Sequence, residues 1–434
     1  MTAVSIEGHL GVEYYPPSET GIRGPVAQRR SKMISTVEEK KASPRIPDAE
    51  FANRIARLQA KMANQSMDLI ICYSNALDPG HVRYLADVVG INESAAMVVP
   101  VDGAPIVCVG QACQAWGKHK SRHEDVRIVL EVGEVAGTEY QVGDQYKFSQ
   151  LLKGLAPKKP LKKIGIAGQL TFPQVLYKQL QESFRDAEIV DAEPMLFELR
   201  VVKSEDEIAC VRRACEILDI AHSNVASKVQ PGWTELEIMA EIVRDILRNG
   251  AEDTAVSWLP MIPSGPLHSN LCMNRNSTRK VQESEIICLQ SGATCEGYNG
   301  ALCSPLVLGP IPQEIRSAVL AAGDAMDAIV ETLKPGATSG AVNKAGRKVL
   351  EAGGYAKYSP YAMVHNIGCL ECESPWMPDD GEFRIMEGMT VCVDVFLFQL
   401  PWGSFRIENT LAIQSNGAEL LTKFNQKFVR SHFA

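Results

Sequence analysis

The feature that most restricts how this chain can fold is a two-helix unit that occurs twice. Each copy has an amphipathic helix, a turn of the form Pro-Gly-x-Thr and a second helix that ends near glycine. The turns begin at Pro231 and Pro335, about a hundred residues apart, whereas solenoids repeat every 20–50 residues or so in several copies. Two long copies followed by strand-like segments indicate pseudo-twofold symmetry. We expect an α+β domain with antiparallel strands inside, helices outside and a site between the halves.

A smaller α/β domain is predicted to precede this repeat. Helical spacing in FANRIARLQAKMAN is followed by short buried strands in DLIICY, AAMVVP and APIVCVG. Ser204 and Glu207 then form a capping box that begins a long helix. The expected organisation is an irregular arm at 1–45, a creatinase-type α/β domain at 46–198 and the pseudo-twofold domain at 199–434.

The composition excludes several classes of protein. A hydrophobic content of 45% and a charged content of 22% are typical of soluble globular proteins. The net charge of −8 disfavours nucleic acid as a partner, and no apolar run is long enough to span a membrane. The N-terminus lacks the pattern of a secretory signal, and most of the 12 cysteines lie in apolar stretches. These features predict a cytoplasmic protein with reduced thiols.

Six short motifs indicate a family through their order and spacing. They are K-S-x-x-E-I (203–208), G-P-L-H-S-N (265–270), E-G-Y (296–298), H-N-I-G (365–368), E-G-M (387–389) and F-R-I-E-N (405–409). Together they resemble the pita-bread fold of the creatinase, aminopeptidase P and methionine aminopeptidase superfamily. The resemblance covers roughly residues 50–430 and includes the smaller N-terminal domain.

The metal-dependent peptidases of that superfamily hold two metal ions with two Asp, one His and two Glu. The corresponding positions here are Gln290, Ala301, His365, Asp394 and Glu408. Both aspartates are absent, and two adjacent cations require several carboxylates to offset their charge. The sequence therefore predicts no dinuclear centre, no metal and no other cofactor.

Within the superfamily the chain is most similar to creatinase, in the segments GAELLTKF (417–424) and STRKV (277–281). This resemblance implies a metal-independent enzyme that hydrolyses a C–N bond other than a peptide bond in a small nitrogen-containing molecule. His268 would be the acid–base catalyst, because imidazole titrates near neutral pH. His365, Asp394 and Glu408 would act on or hold the substrate. The resemblance also implies a homodimer with the site at the subunit interface.

Departures from creatinase alter the expected substrate. Glu93 and Trp376 lie near positions where creatinase has arginine, and Cys303 replaces a carboxylate. Exchanging Arg for Glu reverses the preferred ligand charge, so we expect a cationic or zwitterionic substrate. The remaining predicted substrate-binding residues are Gln290, Tyr298 and Arg406. One or more of Trp258, Trp376 and Trp402 would form a cation-facing wall.

Several alternatives stay open. The same site could serve a lyase, a decarboxylase or a cyclase, because fold does not determine chemistry. A mononuclear-metal hydrolase or peptidase would use His268, His365, Asp394 and Glu408 as ligands. A non-catalytic binding protein of the same fold is the third alternative, although the two histidines favour an enzyme.

Several predicted site residues also have purely structural interpretations. His268 could be a surface or capping histidine, His365 could be a satisfied core histidine, and Glu408 shares the ion-pair interpretation given next for Asp394. Asp394 lies inside a β run and could instead form an ion pair with Arg406 on a neighbouring strand, because a buried lone carboxylate is costly. Cys303 could be a plain buried thiol.

Overall fold

The computed structural model describes residues 44–133, 143–154, 160–255, 260–271 and 274–434. The predicted arm lies outside these ranges except for its last two residues, and Trp258 also lies outside them. The helices are α1 (Asp48–Asn64), α2 (Gly80–Ala86), α3 (Gln114–Lys120), α4 (Phe148–Gly154), α5 (Gln174–Ser183), α6 (Glu193–Arg200), α7 (Glu205–Lys228), α8 (Glu235–Arg248), α9 (Gly265–His268), α10 (Gln313–Thr332), α11 (Ser339–Ala352) and α12 (Phe424–Phe433). The strands are β1 (Leu69–Ser74), β2 (Ala95–Pro100), β3 (Ile106–Val109), β4 (Val126–Val129), β5 (Gln145–Tyr146), β6 (Lys163–Ala167), β7 (Glu188–Asp191), β8 (Ile286–Cys295), β9 (Tyr298–Val307), β10 (Val364–Asn366), β11 (Thr390–Leu400), β12 (Gly403–Gln414) and β13 (Gly417–Leu420).

The N-terminal part is built on a mixed sheet with the strand order β5-β4-β3-β2-β1-β6-β7. The pairs β1/β2 and β2/β3 are antiparallel, and the other pairs are parallel. Strands β1 and β3 are buried along their whole length, which explains their nearly continuous apolar sequences.

The C-terminal part is built on an antiparallel sheet with the order β10-β11-β12-β9-β8, and β13 pairs with β12. Helix α7 packs on β8 and β9, and α10 packs on β11, each with a second helix beside it. Both hairpins are thus covered by a helix pair, as the repeated sequence unit predicts. The observed strands and helices confirm the predicted α+β class.

The two Pro-Gly-x-Thr turns have the same local geometry. Gly232 and Gly336 have φ of +92° and +89°, a region that favours glycine. Thr234 and Thr338 then cap α8 and α11 by accepting hydrogen bonds from the backbone amides three residues later. The predicted capping box at Ser204 is confirmed, and Thr234 forms a second one with Glu237.

The β8/β9 hairpin closes on a two-residue turn. Glu296 and Gly297 both have positive φ, +49° and +79°, which is the conformation of a type I′ turn. Cys295 pairs with Tyr298 across it, and the register continues without a bulge to Ile286 and Val307. This register determines which side chains of the hairpin share a face.

Buried ion pairs join the two parts. Arg54 of α1 donates to the Glu207 carboxylate of α7 at 2.9 Å and to the Tyr298 hydroxyl at 3.1 Å. Arg200 and Lys203 both contact the buried carboxylate of Glu373. Because each charge has an opposite partner, the cost of burying these groups is offset.

Across the described ranges, no helix has the length and apolarity needed to cross a membrane. The cysteines in these ranges are all free thiols, and all except Cys372 are buried.

Candidate functional site

Two rows of side chains cross one face of the C-terminal sheet. In the first row, strand register pairs Gln290 with Cys303, Cys303 with Glu408, and Glu408 with Asp394. Directly paired residues of neighbouring strands point to the same face, so these four side chains lie side by side. The structure thus brings together four residues that the sequence predicts for the site.

The second row lies one pleat away on the same face. His365 pairs with Cys392, and Cys392 pairs with Thr410. The Thr410 hydroxyl donates to the carbonyl of Ala301 at 2.9 Å, which completes the row on β9. Because side chains alternate along a strand, Cys392 and Asp394 project from the same face of β11.

His365, Cys392 and Glu408 form a compact cluster where the rows meet. Each residue offers one ligand atom: a ring nitrogen from His365, the sulfur of Cys392 and a carboxylate oxygen of Glu408. These three atoms lie within 4.8 Å of one another. His365 Nε2 is 3.4 Å from Glu408 Oε1, and its Nδ1 donates to the carbonyl of Asn366 at 3.1 Å. This second bond orients the ring so that Nε2 faces the cluster.

Without a bound cation, the His365 ring and the Cys392 thiol both carry protons. Burial alone would lower the pKa of His365, but Cys372 and Glu408 outweigh burial and raise that pKa well above its usual value. Burial, with the charge of Glu408, raises the pKa of the Cys392 thiol. A bound cation would displace both protons, so its affinity should increase with pH.

Asp394 is engaged by other groups. Tyr361 donates its hydroxyl to Asp394 Oδ2 at 2.7 Å, and an Arg406 guanidinium nitrogen lies 3.5 Å from the same oxygen. Both side chains of the Asp394–Arg406 pair are nearly inaccessible. The ion pair foreseen as the structural alternative for Asp394 is therefore present.

Three buried oxygens on this face form no hydrogen bond within the described part of the chain. They are Gln290 Oε1, Asp394 Oδ1 and Glu408 Oε1. Buried oxygens normally have partners, so three orphans on one face indicate a site that is completed by a ligand. Cys303 occupies the other oxygen of Glu408, to which its thiol donates at 3.0 Å.

Glu371 and Cys372 belong to the same site and were not predicted for it. Glu371 Oε1 lies 3.9 Å from His365 Nε2, and burial together with the charge of Glu408 raises the pKa of Glu371 to about 7. Cys372 contacts the His365 ring. Both residues follow strand β10 in an irregular segment that no periodicity marks.

His268 lies in a separate cluster on the short helix α9. Its Nδ1 is 3.2 Å from both oxygens of Glu235, which is fully buried at the start of α8. Ser264 and Ser277 also donate to Glu235. A carboxylate that holds Nδ1–H leaves Nε2 as the basic nitrogen of the ring. Glu235 was missed as a partner because it lies 33 residues away in the sequence.

The other predicted substrate-binding residues have contacts elsewhere. Glu93 accepts bonds from the amides of Ala112 and Cys113 within the N-terminal part. Tyr298 bonds to Glu207 and Arg54 at the junction of the two parts. The side chain of Trp376 is 63% exposed. Trp402 stacks on Phe405 at 5.8 Å.

A second group of possible metal ligands, Asp78, His81 and Glu193, lies at the junction. There, Arg200 lies 3.4 Å from His81 Nδ1, and a guanidinium can only donate. Nδ1 must then be the acceptor, so Nε2 keeps its proton and points it at Glu193, 3.5 Å away. This arrangement disfavours a metal ion.

The donors at His365, Cys392 and Glu408 do suit one divalent cation. Zinc accepts nitrogen, sulfur and carboxylate ligands in sets of three protein groups plus one open position. His365 has the carbonyl partner on its second nitrogen that metal-binding histidines usually have, and Glu408 Oε1 has no hydrogen-bond donor among the described residues.

Comparison with known proteins places this geometry in a family. Residues 209–415 match the model of metallopeptidase family M24, and residues 54–202 match the creatinase/prolidase N-terminal domain. An Xaa-Pro dipeptidase of Pyrococcus horikoshii is 25% identical over 283 residues, which are 65% of this chain and 79% of that protein. An Xaa-Pro dipeptidase of Pyrococcus furiosus is 27% identical over 61% of this chain and 75% of its own length.

Solved structures show the same fold. The prolidase from Pyrococcus horikoshii superimposes with a TM-score of 0.73 at 22% identity, over 86% of this chain and 98% of that chain. The aminopeptidase PepP of Pseudomonas aeruginosa superimposes with a TM-score of 0.71 at 18% identity, over 90% of this chain and 98% of that chain.

These relatives correct the main functional expectation. The prediction of a metal-independent pseudo-peptidase that cleaves a C–N bond other than a peptide bond is wrong, because the related proteins are dipeptidases and the matching family is one of metallopeptidases. The predicted superfamily is confirmed. The chain belongs to the pita-bread superfamily as a creatinase- and aminopeptidase P-like protein.

Proposed function

We propose that this protein is a metal-assisted hydrolase of short peptides, with one divalent cation held by His365, Cys392 and Glu408. The convergence of these three donors within 4.8 Å is the observation that carries the proposal. The names of the relatives, Xaa-Pro dipeptidases, support a dipeptide as the substrate. This proposal develops the mononuclear alternative but uses a different set of ligands, because Asp394 is paired with Arg406 and His268 with Glu235.

When bound, such a cation polarises a carbonyl group and lowers the pKa of a water molecule. The chain itself supplies the proton acceptor. We assign this role to Glu371, whose pKa of about 7 matches a base that works near neutral pH. Its carboxyl lies 3.9 Å from His365 Nε2, beside the proposed ligands.

Access to the site follows from burial. The side chains of His365 and Glu371 are each 16% exposed, whereas Glu408 is buried. A substrate would therefore enter from the side of His365 and Glu371. Gln290 Oε1, a neutral acceptor without a donor among the described residues, would hold an N–H or ammonium group of the substrate.

We assign His268 a second proton-transfer role. Glu235 fixes its ring through Nδ1, and the side chain of His268 is 26% exposed. A ring held in this way has a defined direction for its other nitrogen, as a proton donor to a leaving amine requires.

We also propose that the protein is a cytoplasmic homodimer with the site bounded by the second subunit. The family resemblance supports the dimer, and the free buried thiols support a reducing compartment.

The proposal is tested with a panel of dipeptides. Metal-free protein should hydrolyse none, and protein loaded separately with Zn²⁺, Mn²⁺ or Co²⁺ should hydrolyse Xaa-Pro dipeptides with at least one of them. Cys392→Ala should lose this activity, whereas Cys108→Ala, which removes a buried thiol from β3, should keep it. Activity that persists without metal, or equal activity in both variants, would show that the assignment is wrong.

A further inference from the structure

The first row of the site contains two carboxylates, Asp394 and Glu408, and the guanidinium of Arg406 lies beside Asp394. This arginine is on β12, two residues before Glu408, and projects from the same face. Its guanidinium lies 3.5 Å from Asp394 Oδ2. An arginine stays charged at all ordinary pH values, so it is a permanent cation in the row.

Packing keeps Arg406 in this place. The guanidinium lies over the ring of Phe396 at 4.6 Å, and Phe396 stacks on Tyr361 at 5.7 Å. Tyr361 also donates to the Asp394 oxygen that faces Arg406. Arginine, tyrosine and aspartate therefore form one buried unit that leaves little freedom for the guanidinium to withdraw.

One oxygen of each carboxylate in the first row is already engaged. Asp394 Oδ2 has Arg406 and Tyr361 as partners, and Glu408 Oε2 accepts from the thiol of Cys303. Gln290 at the end of the row is neutral. Asp394 Oδ1 and Glu408 Oε1 have no hydrogen bond to the described residues, but Arg406 offsets the charge of Asp394, which leaves Glu408 as the carboxylate of the row that faces His365.

We propose that Arg406 is a built-in cation that neutralises Asp394 and limits the centre to one metal ion, so that Asp394 is not a metal ligand. This inference rests on the proposed function and deepens it. Two dications beside Arg406 would place five positive charges against too few carboxylates, and like charges at short range repel strongly in a buried site. One dication is compatible with the groups that remain free.

The test is the number of metal ions bound per chain. Metal-free protein is dialysed against Zn²⁺ and analysed for zinc, and the absorption spectrum after Co²⁺ loading reports the ligands independently of activity. The wild type should bind one equivalent. The double variant Asp394→Asn/Arg406→Met removes both charges together, so it avoids a buried unpaired charge. It should still bind one equivalent, with an affinity within about threefold of wild type and an unchanged Co²⁺ spectrum.

The single variant Arg406→Met should bind a second equivalent more weakly, because Asp394 is released. If this variant does not fold, the double variant still decides whether Asp394 is a ligand. Three results would each overturn the inference while leaving a metal-dependent peptidase in place. They are two metal equivalents bound by the wild type, only one equivalent bound by folded Arg406→Met, and a tenfold loss of metal affinity in the double variant. No bound metal in the wild type would overturn the proposed function itself and the inference with it.

Discussion

In each half of the C-terminal domain, a Pro-Gly-x-Thr turn joins two outer helices that cover a β-hairpin, but the two hairpins carry different side chains to the shared face. The β8/β9 hairpin supplies the neutral groups Gln290 and Cys303. The β11/β12 hairpin supplies a thiol, Cys392, and both carboxylates, Asp394 and Glu408. The two halves thus repeat the same helices and hairpin, but they need not repeat the same side chains. The carboxylates of the site can therefore all come from one hairpin.

The halves also differ behind the sheet. His222 on α7 is fully buried against the opposite face of β8 and β9, 2.8 Å from the hydroxyl of Ser291 and 3.1 Å from that of Ser304. This half has a histidine that supports folding, whereas the other half contributes the histidine of the site, His365. The comparison predicts that variants of the second hairpin alter metal binding and activity, and that variants around His222 alter stability.

The largest effect is expected from Glu408→Gln. The substitution removes the single free anionic oxygen of the proposed cluster, so the variant should lose its metal and at least about 10³-fold in kcat/KM. Metal analysis and dipeptide kinetics measure both. Glu419→Gln on the adjoining strand β13, where the carboxylate pairs with Arg212 near the surface, should match wild type. Retained metal in Glu408→Gln would mean that the cluster is not the metal site.

A smaller loss, about 10²-fold in kcat/KM, is expected from Glu371→Gln, because a general base contributes on that scale. The carboxyl must be deprotonated to accept a proton, so wild-type kcat/KM at saturating metal should fall on the acid side of its pH profile. The variant should lack this acid limb while its metal content stays unchanged. Glu382→Gln, at an exposed position in the same half, is the control. If the fall in kcat/KM at low pH persists in Glu371→Gln, a group other than Glu371 causes it.

His222 is expected to make stability depend on pH. Burial lowers its pKa to about 3, so the unfolded chain binds a proton below about pH 6.5 that the folded chain does not bind. The contribution of neutral His222 is complete above that pH and is lost as the pH falls towards 3. By pH 5 the loss in the free energy of unfolding amounts to about 2 kcal/mol. Urea unfolding at pH 7.5 and pH 5 measures the effect. Between these pH values, the free energy of unfolding should fall less for His222→Gln than for wild type. The exposed His119→Gln should behave as wild type.

The smallest effects should come from the helix caps and should be similar in the two halves. Thr234→Ala and Thr338→Ala each remove a side-chain acceptor from a helix N-terminus, at a cost of about 1 kcal/mol in the free energy of unfolding. Thr234 should cost slightly more, because Glu237 completes its capping box and no acidic residue does so for Thr338. Dipeptide hydrolysis should not change in either variant. A large difference in stability between them would show that the helix pairs are not equivalent.

Much of the scaffold could be predicted from the sequence because its signals are local. Capping boxes, glycine turns and alternating strands place the helices and hairpins without knowledge of distant contacts. Gln290, Cys303, His365, Asp394 and Glu408 were recognised through the family resemblance, and the structure brings them to one face. The pairing of Asp394 with Arg406 was also foreseen, because the two residues lie on neighbouring predicted strands.

The parts of the site that were missed depend on tertiary contacts. Cys392 was not predicted for the site, although its position two residues before Asp394 places it on the same face of β11, and that alternation could have identified it. Glu371 reaches His365 from an irregular segment, and Glu235 reaches His268 from a distant helix. The incomplete aspartate pair led to the expectation of no metal, because the contribution of a cysteine from the second row was not considered.

The most direct test of the central claim is a titration of metal-free wild-type protein with Co²⁺, in which absorbance and Xaa-Pro dipeptide hydrolysis are followed in the same samples. A cysteine thiolate bound to Co²⁺ gives a charge-transfer band, so the band reports coordination by a cysteine, and its absence in Cys392→Ala would identify the residue. We predict that the band and the activity increase together and both reach a plateau at about one equivalent. Full activity before any metal is added, or activity that increases without the band, would contradict a single metal ion held by His365, Cys392 and Glu408.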